Sequence, residues 1–428
     1  MPKLKLITFG CQTNHLDSER IAGILFREGF HLTEQEEEAD LIILNTCSIR
    51  QKAEEKFFSQ LGRVGVLKRR NPFLGVGVCG CIAEQEGEGL KLRFPFVDFV
   101  VGTNQIAEIP SLLREKESSQ EGEQPVLPLR LNRFKAWVEI MKGCDNFCAY
   151  CVVPYLRGRE GSHTPEEILE EIGGLVSSGY IEIVLLGHNV DSYGKGLSPC
   201  INFAQLLRRI QERVSSSVWV RFTTSHPKDL TDEVGRCLAE LPSLCHHVHL
   251  PVQSGSDRVL TGMNRGYYSK DFFRIVDELR GWVPDIAIST DIMVGFPGET
   301  EEDFQRTLHM LGQIRFDRIF SFKYSPRPKT AALAYQGHLP ETVKEHRLNE
   351  VIALQNRISL EKNQTMLGKV LEVRVENRES KKDANLVTAR ARTNHIVHFA
   401  DPKAEEGSLR RVRITQANPF HLKGEALH

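Results

Sequence analysis

The sequence has no surplus of charge of either sign. Its 55 Lys and Arg residues are balanced by 56 Asp and Glu residues, which gives a formal net charge of -1 at pH 7. Proteins that coat nucleic acid non-specifically need a strong basic excess. Any contact of this chain with RNA must therefore be confined to one region of it.

A signal peptide and a long uncharged apolar span are also missing. The N-terminus passes through the charged residues Lys3 and Lys5 directly into an apparent strand, and no later stretch has the length that a bilayer requires. We therefore expect a soluble protein of the cytoplasm with no membrane partner. Because disulfides are rare in that reducing compartment, the ten cysteines need another explanation.

The order of apolar runs predicts an α/β protein. Strands and helices alternate through the first third of the chain, which is typical of a parallel sheet, and the polar stretch at 115–123 has the composition of a linker. The alternation then restarts, and further strands with amphipathic helices predict a partial (β/α) barrel. The predicted strands are 4–9, 41–45, 73–78, 97–101, 136–141, 181–186, 218–223, 247–250, 286–294 and 318–324.

The end of the chain has a different pattern. After a long helical pattern at 341–366, short alternating runs predict a small antiparallel β-barrel. Basic residues outnumber acidic ones there, which favours an RNA-binding module, although the solvated face of an ordinary barrel would give the same excess. We place the domains at 1–118, 130–362 and 363–428: a parallel α/β sheet domain, a partial (β/α)6 barrel and the small β-barrel.

Three cysteines with C-x3-C-x2-C spacing follow the first predicted barrel strand. Cys144, Cys148 and Cys151 are one thiolate short of closing a four-iron cluster, so one iron would stay open to a reactive ligand. A zinc knot is the alternative, but structural zinc sites usually add a second C-x2-C or a histidine pair, and neither is nearby. The triplet therefore predicts a catalytic iron–sulfur site at the carboxyl end of a barrel strand.

A second set of cysteines is spread over the N-terminal third. Cys11, Cys47 and Cys81 each follow a strand of the predicted sheet, and such strand ends converge on one crevice. They predict a second cluster with an open iron, although small buried side chains could also be packing residues, and Cys79 is close enough to Cys81 to replace it. The remaining cysteines lack such placement and are assigned to packing: Cys200, Cys237 and Cys245, with Cys79.

Longer motifs around these cysteines resemble the methylthiotransferase family of radical S-adenosylmethionine (radical SAM) enzymes. They are TFGCQTN at 8–14, DSE at 17–19, LNTCSIR at 44–50, GC at 80–81, CVVPY at 151–155 and RGRE at 157–160. Three further motifs resemble the branch that modifies tRNA more than the branch that modifies a ribosomal protein. They are LGHNVDSY at 186–193, RFTTSHP at 221–227 and SKK at 380–382, the last in a TRAM-type barrel.

The resemblance implies two 4Fe-4S clusters, one on each cysteine trio, with S-adenosylmethionine as the second cofactor. One S-adenosylmethionine would methylate a sulfur at the N-terminal cluster. Another would be cleaved at the cluster of Cys144, Cys148 and Cys151 to give a 5'-deoxyadenosyl radical. The substrate would be N(6)-isopentenyladenosine beside the anticodon of tRNA, which gains a 2-methylthio group. The implied partners of a monomeric chain are tRNA, a low-potential electron donor and a donor of sulfur or of cluster repair.

Two other interpretations stay open. Methylthiolation of threonylcarbamoyl-adenosine or of a ribosomal protein would keep all six cysteine assignments and change only the substrate pocket. A non-catalytic iron–sulfur sensor that binds RNA would keep the clusters, but it would have no need of a vacant iron beside a sulfonium pocket.

Further contacts are carried over from the same motifs. The implied cofactor-binding residues are Tyr150, Gly187, Asn189, Gln253, Ser254, Gly295, Gly298 and Glu299. The implied RNA-binding residues are Lys381, Lys382 and Arg392. The chain departs from the family pattern at His188, where glutamine is more usual. His247 and His249 share one strand face, but no fitting Cys or carboxylate set accompanies them, so we assign them packing and pocket roles.

Overall fold

The N-terminal residues form a parallel five-stranded sheet, as the alternation of strands and helices predicts. A computed structural model describes residues 1–48, 51–113, 128–378 and 386–427. The first elements are β1 (Lys3–Thr8), α1 (Gln12–Arg27), β2 (His31–Leu32), β3 (Leu41–Thr46), α2 (Gln51–Arg70), β4 (Gly75–Gly80), α3 (Cys81–Glu86), α4 (Gly89–Arg93), β5 (Phe99–Val101) and α5 (Ile109–Leu113). The strands lie in the order β2-β1-β3-β4-β5.

Helices cover both faces of this sheet. The central strand β3 begins with four apolar residues and is buried along its whole length, which is typical of a parallel strand with both faces covered. One core joins β3 to α2 through Ile42 and Phe57, and another joins β3 to α1 through Ile43 and Ile21. Because the strand order reverses between β1 and β3, a crevice opens at their carboxyl ends.

The third long strand lies two residues later than predicted. The apolar pattern places it at 73–78, but Phe73 lies in a turn with its side chain 95% exposed, and β4 begins at Gly75. The shift places Cys79 inside β4, where it is fully buried in the core beside α1. Cys81 instead begins α3. The predicted linker at 115–123 lies outside the described residues.

A segment from the middle of the chain completes the first of two compact units. That unit comprises Met1–Asn132 with Val152–Arg159, and the second comprises Arg133–Cys151 with Glu160–His428. The inserted segment contains α6 (Val153–Leu156). The Thr103 hydroxyl donates to its Leu156 carbonyl at 2.6 Å. The division into three domains at 1–118, 130–362 and 363–428 stays a prediction.

The second unit begins with the predicted partial (β/α) barrel. Its elements are β6 (Lys135–Glu139), β7 (Met141–Lys142), β8 (Gly161–Ser162), α7 (Pro165–Ser177), β9 (Glu182–Leu186), α8 (Phe203–Arg213), β10 (Trp219–Thr223), α9 (Asp232–Glu240), β11 (His247–His249), α10 (Asp257–Gly262), α11 (Ser269–Trp282), β12 (Ala287–Val294), α12 (Glu301–Ile314), β13 (Arg318–Lys323) and α13 (Glu341–Gln364). Parallel strands run in the orders β10-β9-β6 and β11-β12-β13. An isolated parallel bridge links Val220 of β10 to Leu244, which lies shortly before β11. None of the described helices has the length and apolar character needed to cross a bilayer.

A closed five-stranded barrel ends the chain, as predicted. Its strands are β14 (Val370–Arg378), β15 (Leu386–Ala391), β16 (Ile396–Ala400), β17 (Leu409–Ala417) and β18 (Leu422–Leu427). They close in the order β14-β15-β16-β18-β17. Four of the strand pairs are antiparallel, as predicted, and the pair of β16 and β18 runs parallel. An odd number of strands cannot alternate in direction around a closed ring, so one parallel pair is unavoidable.

Arginines around Trp219 hold this C-terminal barrel to the (β/α) core of the same unit. The guanidinium carbons of Arg221, Arg374 and Arg392 lie 5.4, 4.7 and 5.3 Å from the ring centre of Trp219. Arg221 also donates to the carbonyl of Ala391 at 2.9 Å. Cation–π contacts and charge-assisted hydrogen bonds are strongest where water is excluded. The C-terminal barrel is therefore a docked element of the unit.

Candidate functional site

The three N-terminal cysteines lie at neighbouring strand ends of the parallel sheet. Cys11 precedes α1, Cys47 follows β3 and Cys81 begins α3. Cys11 donates its thiol to Asn14 Oδ1 at 3.5 Å, and Arg157 Nη2 donates both to that oxygen at 3.0 Å and to the Cys81 Sγ at 3.7 Å. Gly10 packs against Cys47: a Cβ added to Gly10 would lie only 2.6 Å from the Cys47 Sγ. The φ of Gly10 is 106°, a backbone conformation that favours glycine. The sheet thus brings the three predicted thiols together.

Buried side-chain amides tie the loops of this site to one another. The Asn14 amide donates to the carbonyls of Phe9 at 2.9 Å and Thr46 at 2.6 Å. The Asn45 amide donates to the Asn14 carbonyl at 2.8 Å and to Ser18 at 2.9 Å. Both asparagines are fully buried. These buried hydrogen bonds link the loop that carries Cys11 to the end of β3 that precedes Cys47.

A buried arginine completes the N-terminal site. Arg157, carried by the inserted segment, donates from Nη2 to the Cys81 Sγ at 3.7 Å and from Nη1 to Asp17 at 2.6 Å. Burial disfavours its charged form, but Asp17, Cys81 and Cys11 more than offset this and raise the pKa of Arg157. Burial raises the pKa of the Cys81 thiol, and Arg157 opposes that rise. Arg157 could not be recognised as part of this site from the sequence, because no motif or spacing links it to Cys81.

The C-x3-C-x2-C triplet occupies the loop that follows β7. The Cys151 amide donates to the Cys148 carbonyl at 2.9 Å, and Phe147 between the first two cysteines has a φ of 45°. Burial raises the pKa of Cys144 to about 11, and the neighbouring Cys148 adds to the rise. All three cysteines are partly exposed. The loop therefore carries three partly exposed cysteines on one short stretch of backbone.

Arg265 supports this triplet and was not found from the sequence. Its Nη1 donates to the Cys148 Sγ at 3.3 Å and to the Tyr150 hydroxyl at 3.4 Å, while Nη2 donates to the Pro251 carbonyl at 2.6 Å. Tyr267 donates its hydroxyl to the Val252 carbonyl at 2.8 Å in the same layer. Tyr150, a predicted cofactor contact, therefore lies beside the triplet in a shared network. Arg265 is far from the triplet in sequence, so only the fold reveals it.

Among the described residues, no three His, Cys, Asp or Glu side chains are close enough together to hold a single metal ion. The cluster and zinc interpretations of the two cysteine trios therefore stay predictions.

Two predicted cofactor contacts have an unused acceptor. In the part of the chain that the structure describes, Asn189 Oδ1 and Gln253 Oε1 are buried and have no hydrogen-bond partner. Gln253 has a φ of 73°, and its backbone N–H donates to the Asp291 carbonyl at 2.8 Å. A buried acceptor without a partner costs free energy, and strained backbone is often kept at ligand sites. Both residues therefore fit a ligand with hydrogen-bond donors, such as the ammonium or hydroxyl groups of S-adenosylmethionine.

Acidic and imidazole groups lie beside Asn189. Asn189 donates its amide to Asp229 at 2.7 Å. Asp191 accepts the His226 backbone amide at 2.9 Å, and burial raises the pKa of Asp191 to about 7. Burial also lowers the pKa of His226, and Arg265 adds to this. Around neutral pH this group of side chains thus combines the neutral imidazole of His226 with the carboxyl of Asp191, which is near its titration point.

The glycine-rich turn after β12 is held from within. Glu299 accepts the Gly295 amide at 2.6 Å and Arg347 Nη1 at 2.7 Å. Burial raises the pKa of Glu299, although these two donors oppose the rise. Gly295 has a φ of 75°, and the Gly298 amide donates to the Gly337 carbonyl at 2.8 Å. The Glu299 carboxylate thus shapes the turn, while the backbone of Gly295 and Gly298 forms it.

The other predicted contacts have partners within the protein. The buried Ser254 hydroxyl lies 3.3 Å from that of Thr307 and accepts the Ser256 amide at 3.2 Å. The Gly187 amide donates to the Thr223 carbonyl at the end of β10, at 3.1 Å. Their contacts with a cofactor stay predictions, and Ser254 already supports its own loop.

Of the predicted RNA contacts, the structure describes Arg392. Lys381 and Lys382 lie outside the described residues. Arg392 donates to the carbonyls of Pro242 at 2.7 Å and Ser216 at 3.2 Å. An RNA phosphate at Arg392 would have to compete with these contacts to the core.

Comparison with known proteins finds relatives that match nearly the whole chain. The tRNA-2-methylthio-N(6)-dimethylallyladenosine synthase of Clostridium botulinum (strain Hall) is 46% identical over 433 residues, covering 98% of this chain and 96% of that protein. The protein of the same name from Carboxydothermus hydrogenoformans is 46% identical and covers 98% of both chains. Residues 3–102 match the uncharacterized protein family UPF0004, and residues 138–311 match the radical SAM superfamily.

A solved structure has a similar fold. The radical S-adenosylmethionine methyltransferase TsrM from Kitasatospora setae, with cobalamin and a [4Fe-4S] cluster bound, has a TM-score of 0.56 and 14% identity. The match covers 78% of this chain and 74% of that one. At this identity the likeness concerns the fold alone.

Proposed function

This chain belongs to the family of tRNA-2-methylthio-N(6)-dimethylallyladenosine synthases, which are radical SAM methylthiotransferases, and on that premise we propose its substrate and reaction. It replaces the hydrogen on carbon 2 of N(6)-isopentenyladenosine, beside the anticodon of tRNA, by a methylthio group. The 46% identity over 98% of the chain carries this proposal, because it spans both cysteine trios and the C-terminal barrel.

Each cysteine trio would hold one 4Fe-4S cluster. Cys144, Cys148 and Cys151 would hold the cluster that binds S-adenosylmethionine, and Cys11, Cys47 and Cys81 would hold the other. When bound, the first cluster and S-adenosylmethionine supply a carbon radical, and the second cluster supplies sulfur. The cofactors carry the difficult step, and the protein binds, orients and excludes water.

The chain's own residues supply the positioning. Arg265 fixes the Cys148 sulfur relative to the backbone at Pro251. The unpartnered acceptors of Asn189 and Gln253 would bind donor groups of S-adenosylmethionine. Tyr150 would line the same site, with Gly295 and Gly298 offering backbone to the adenine. Carbon 2 of adenine is an inert position, so holding the reactants in line matters more than proton transfer.

Cellular context follows from the substrate. We propose that the chain acts in the cytoplasm as a monomer, with tRNA, a low-potential electron donor and a donor of sulfur or of cluster repair as partners.

Mass spectrometry of tRNA nucleosides tests the proposed reaction. Reconstituted protein, reductant and S-adenosylmethionine are incubated without oxygen with tRNA that carries isopentenyladenosine, threonylcarbamoyl-adenosine or neither. We expect a 2-methylthio adduct on isopentenyladenosine alone. An adduct on threonylcarbamoyl-adenosine, or 5'-deoxyadenosine without any tRNA adduct, would contradict the proposed substrate. If protein with both clusters verified gives neither the tRNA adduct nor 5'-deoxyadenosine, the sensor interpretation is favoured.

Lys381 and Lys382 are proposed to contact RNA phosphates, because they lie in the basic C-terminal part of the chain. Replacing both by glutamine should weaken tRNA binding. The slope of the logarithm of the binding constant against the logarithm of salt concentration should become shallower by about one to two, because fewer counterions are released when phosphate contacts are lost. The measurement is a binding series over salt concentration. As a control, Arg208→Gln with Arg274→Gln removes two exposed, ion-paired charges on outer helices and should leave the slope unchanged. An unchanged slope for the lysine pair would contradict the proposal.

A further inference from the structure

One arginine stands inside the N-terminal cysteine site. The Arg157 side chain is 2% exposed. Its Nη2 lies 3.7 Å from the Cys81 Sγ and 3.0 Å from Asn14 Oδ1. The same Asn14 Oδ1 accepts the Cys11 thiol at 3.5 Å. A buried cation thus contacts one proposed cluster ligand, Cys81, and shares an acceptor with a second, Cys11.

Asp17 is the counter-charge of this arginine. Its carboxylate is 2% exposed and accepts Arg157 Nη1 at 2.6 Å. Its other oxygen lies 3.7 Å from Arg20, whose side chain is 24% exposed. Asp17 also interacts electrostatically with Cys81, with the sign opposite to that of Arg157. The two buried charges therefore act on the same sulfur in opposite directions.

The contact with sulfur is more than the ion pair requires. A buried arginine needs a carboxylate and further acceptors to offset its desolvation, and Asp17 with Asn14 supplies these. The direction of the remaining donor toward Cys81 is a separate feature. Hydrogen bonds to cluster sulfurs and nearby charge are among the factors that set the reduction potential of an iron–sulfur cluster.

We propose that Arg157 is a positioning residue that donates to the Cys81 sulfur of the N-terminal cluster and raises the reduction potential of that cluster, with Asp17 limiting the rise. This inference rests on the proposed function, since it requires Cys81 to be a cluster ligand. Reduction brings one electron to the cluster, and a nearby positive charge stabilises the more negative, reduced form. A negative charge at Asp17 has the opposite effect.

Potentiometric titration of the full-length protein, followed by electron paramagnetic resonance, tests this. Signals are assigned with a variant in which Cys144, Cys148 and Cys151 are alanine. In Arg157→Met we expect the ratio of reduced to oxidised N-terminal cluster at a fixed potential to fall by about tenfold, which is ~59 mV for one electron. In Asp17→Asn we expect the ratio to rise. A role confined to fold stability would not give shifts of opposite sign.

Two further variants serve as controls for the measured potentials. Arg159→Met removes an exposed arginine two residues away and should leave the potential unchanged. The double variant Asp17→Asn with Arg157→Met removes both charges of the buried pair, so no buried charge is left without a partner. It therefore provides a test even if the single Arg157 variant does not fold. Its potential should lie below that of Asp17→Asn. An unchanged potential in Arg157→Met with the cluster fully assembled, or shifts of the same sign in both single variants, would overturn the inference.

Iron content separates this outcome from failure of the proposed function. If Cys81→Ala keeps both clusters, Cys81 is not a ligand and the site assignment itself fails. If Cys81→Ala loses one cluster while Arg157→Met leaves the potential unchanged, the site assignment stands and only the role of Arg157 is overturned.

Discussion

Replacing Cys144 by alanine should reduce formation of 5'-deoxyadenosine from S-adenosylmethionine to the background level. Cys144 supplies one of only three thiolates in its loop, so two sulfurs would remain to hold the cluster. Loss of an outer partner of a metal site already costs about 10- to 100-fold, and we expect loss of a direct ligand to exceed that. The measurement is liquid chromatography with mass spectrometry of the nucleoside, alongside the iron content of the protein.

Cys200→Ala is the matched control. Cys200 is an exposed free cysteine in the same unit, outside the triplet. Its replacement should leave both iron content and 5'-deoxyadenosine formation as in the unchanged protein. Persistent 5'-deoxyadenosine formation in Cys144→Ala would remove the central assignment of the triplet.

Replacing Cys11, Cys47 and Cys81 together by alanine should separate the two halves of the reaction. We expect 5'-deoxyadenosine still to form, because the triplet of Cys144 is intact, while the 2-methylthio adduct on tRNA disappears. Iron content should fall by about half, since each trio would hold one four-iron cluster. Nucleoside mass spectrometry and an iron assay on the same sample measure both effects.

The neighbouring cysteine of the same strand provides the control. Cys79 is fully buried inside β4 and packs in the sheet core, two residues before Cys81. Cys79→Ala should therefore keep both clusters and the methylthio product, at the cost of a small loss of stability from the smaller side chain. Methylthio product from the triple alanine variant, or loss of a cluster in Cys79→Ala, would contradict the assignment.

The features predicted correctly from the sequence have a local signal. β3 begins with four consecutive apolar residues, and such a run is typical of a buried parallel strand. Each N-terminal cysteine lies after a strand, as predicted, because each of those strands could be recognised separately. The ligand roles of both cysteine trios stay predictions. The closed C-terminal barrel was visible as short alternating runs.

The features that sequence reasoning missed depend on long-range contacts. Arg157 lies 76 residues from Cys81 and 140 from Asp17, and Arg265 lies 117 residues from Cys148. No periodicity or spacing connects such positions. The start of β4 was misplaced because an apolar residue, Phe73, lies exposed in a turn. The parallel pair in the C-terminal barrel follows from ring closure, which no single strand encodes.

The insertion of Val152–Arg159 into the first unit has a consequence for synthesis of the chain on the ribosome. The five-stranded sheet is complete once β5, which ends at Val101, has been made, but the partner of Asp17 at 2.6 Å arrives 56 residues later with Arg157. Until that segment emerges, the nascent sheet holds a carboxylate without its buried cation. The N-terminal unit therefore cannot be exchanged between genes as one continuous block, because its last piece is encoded beyond the cysteine triplet.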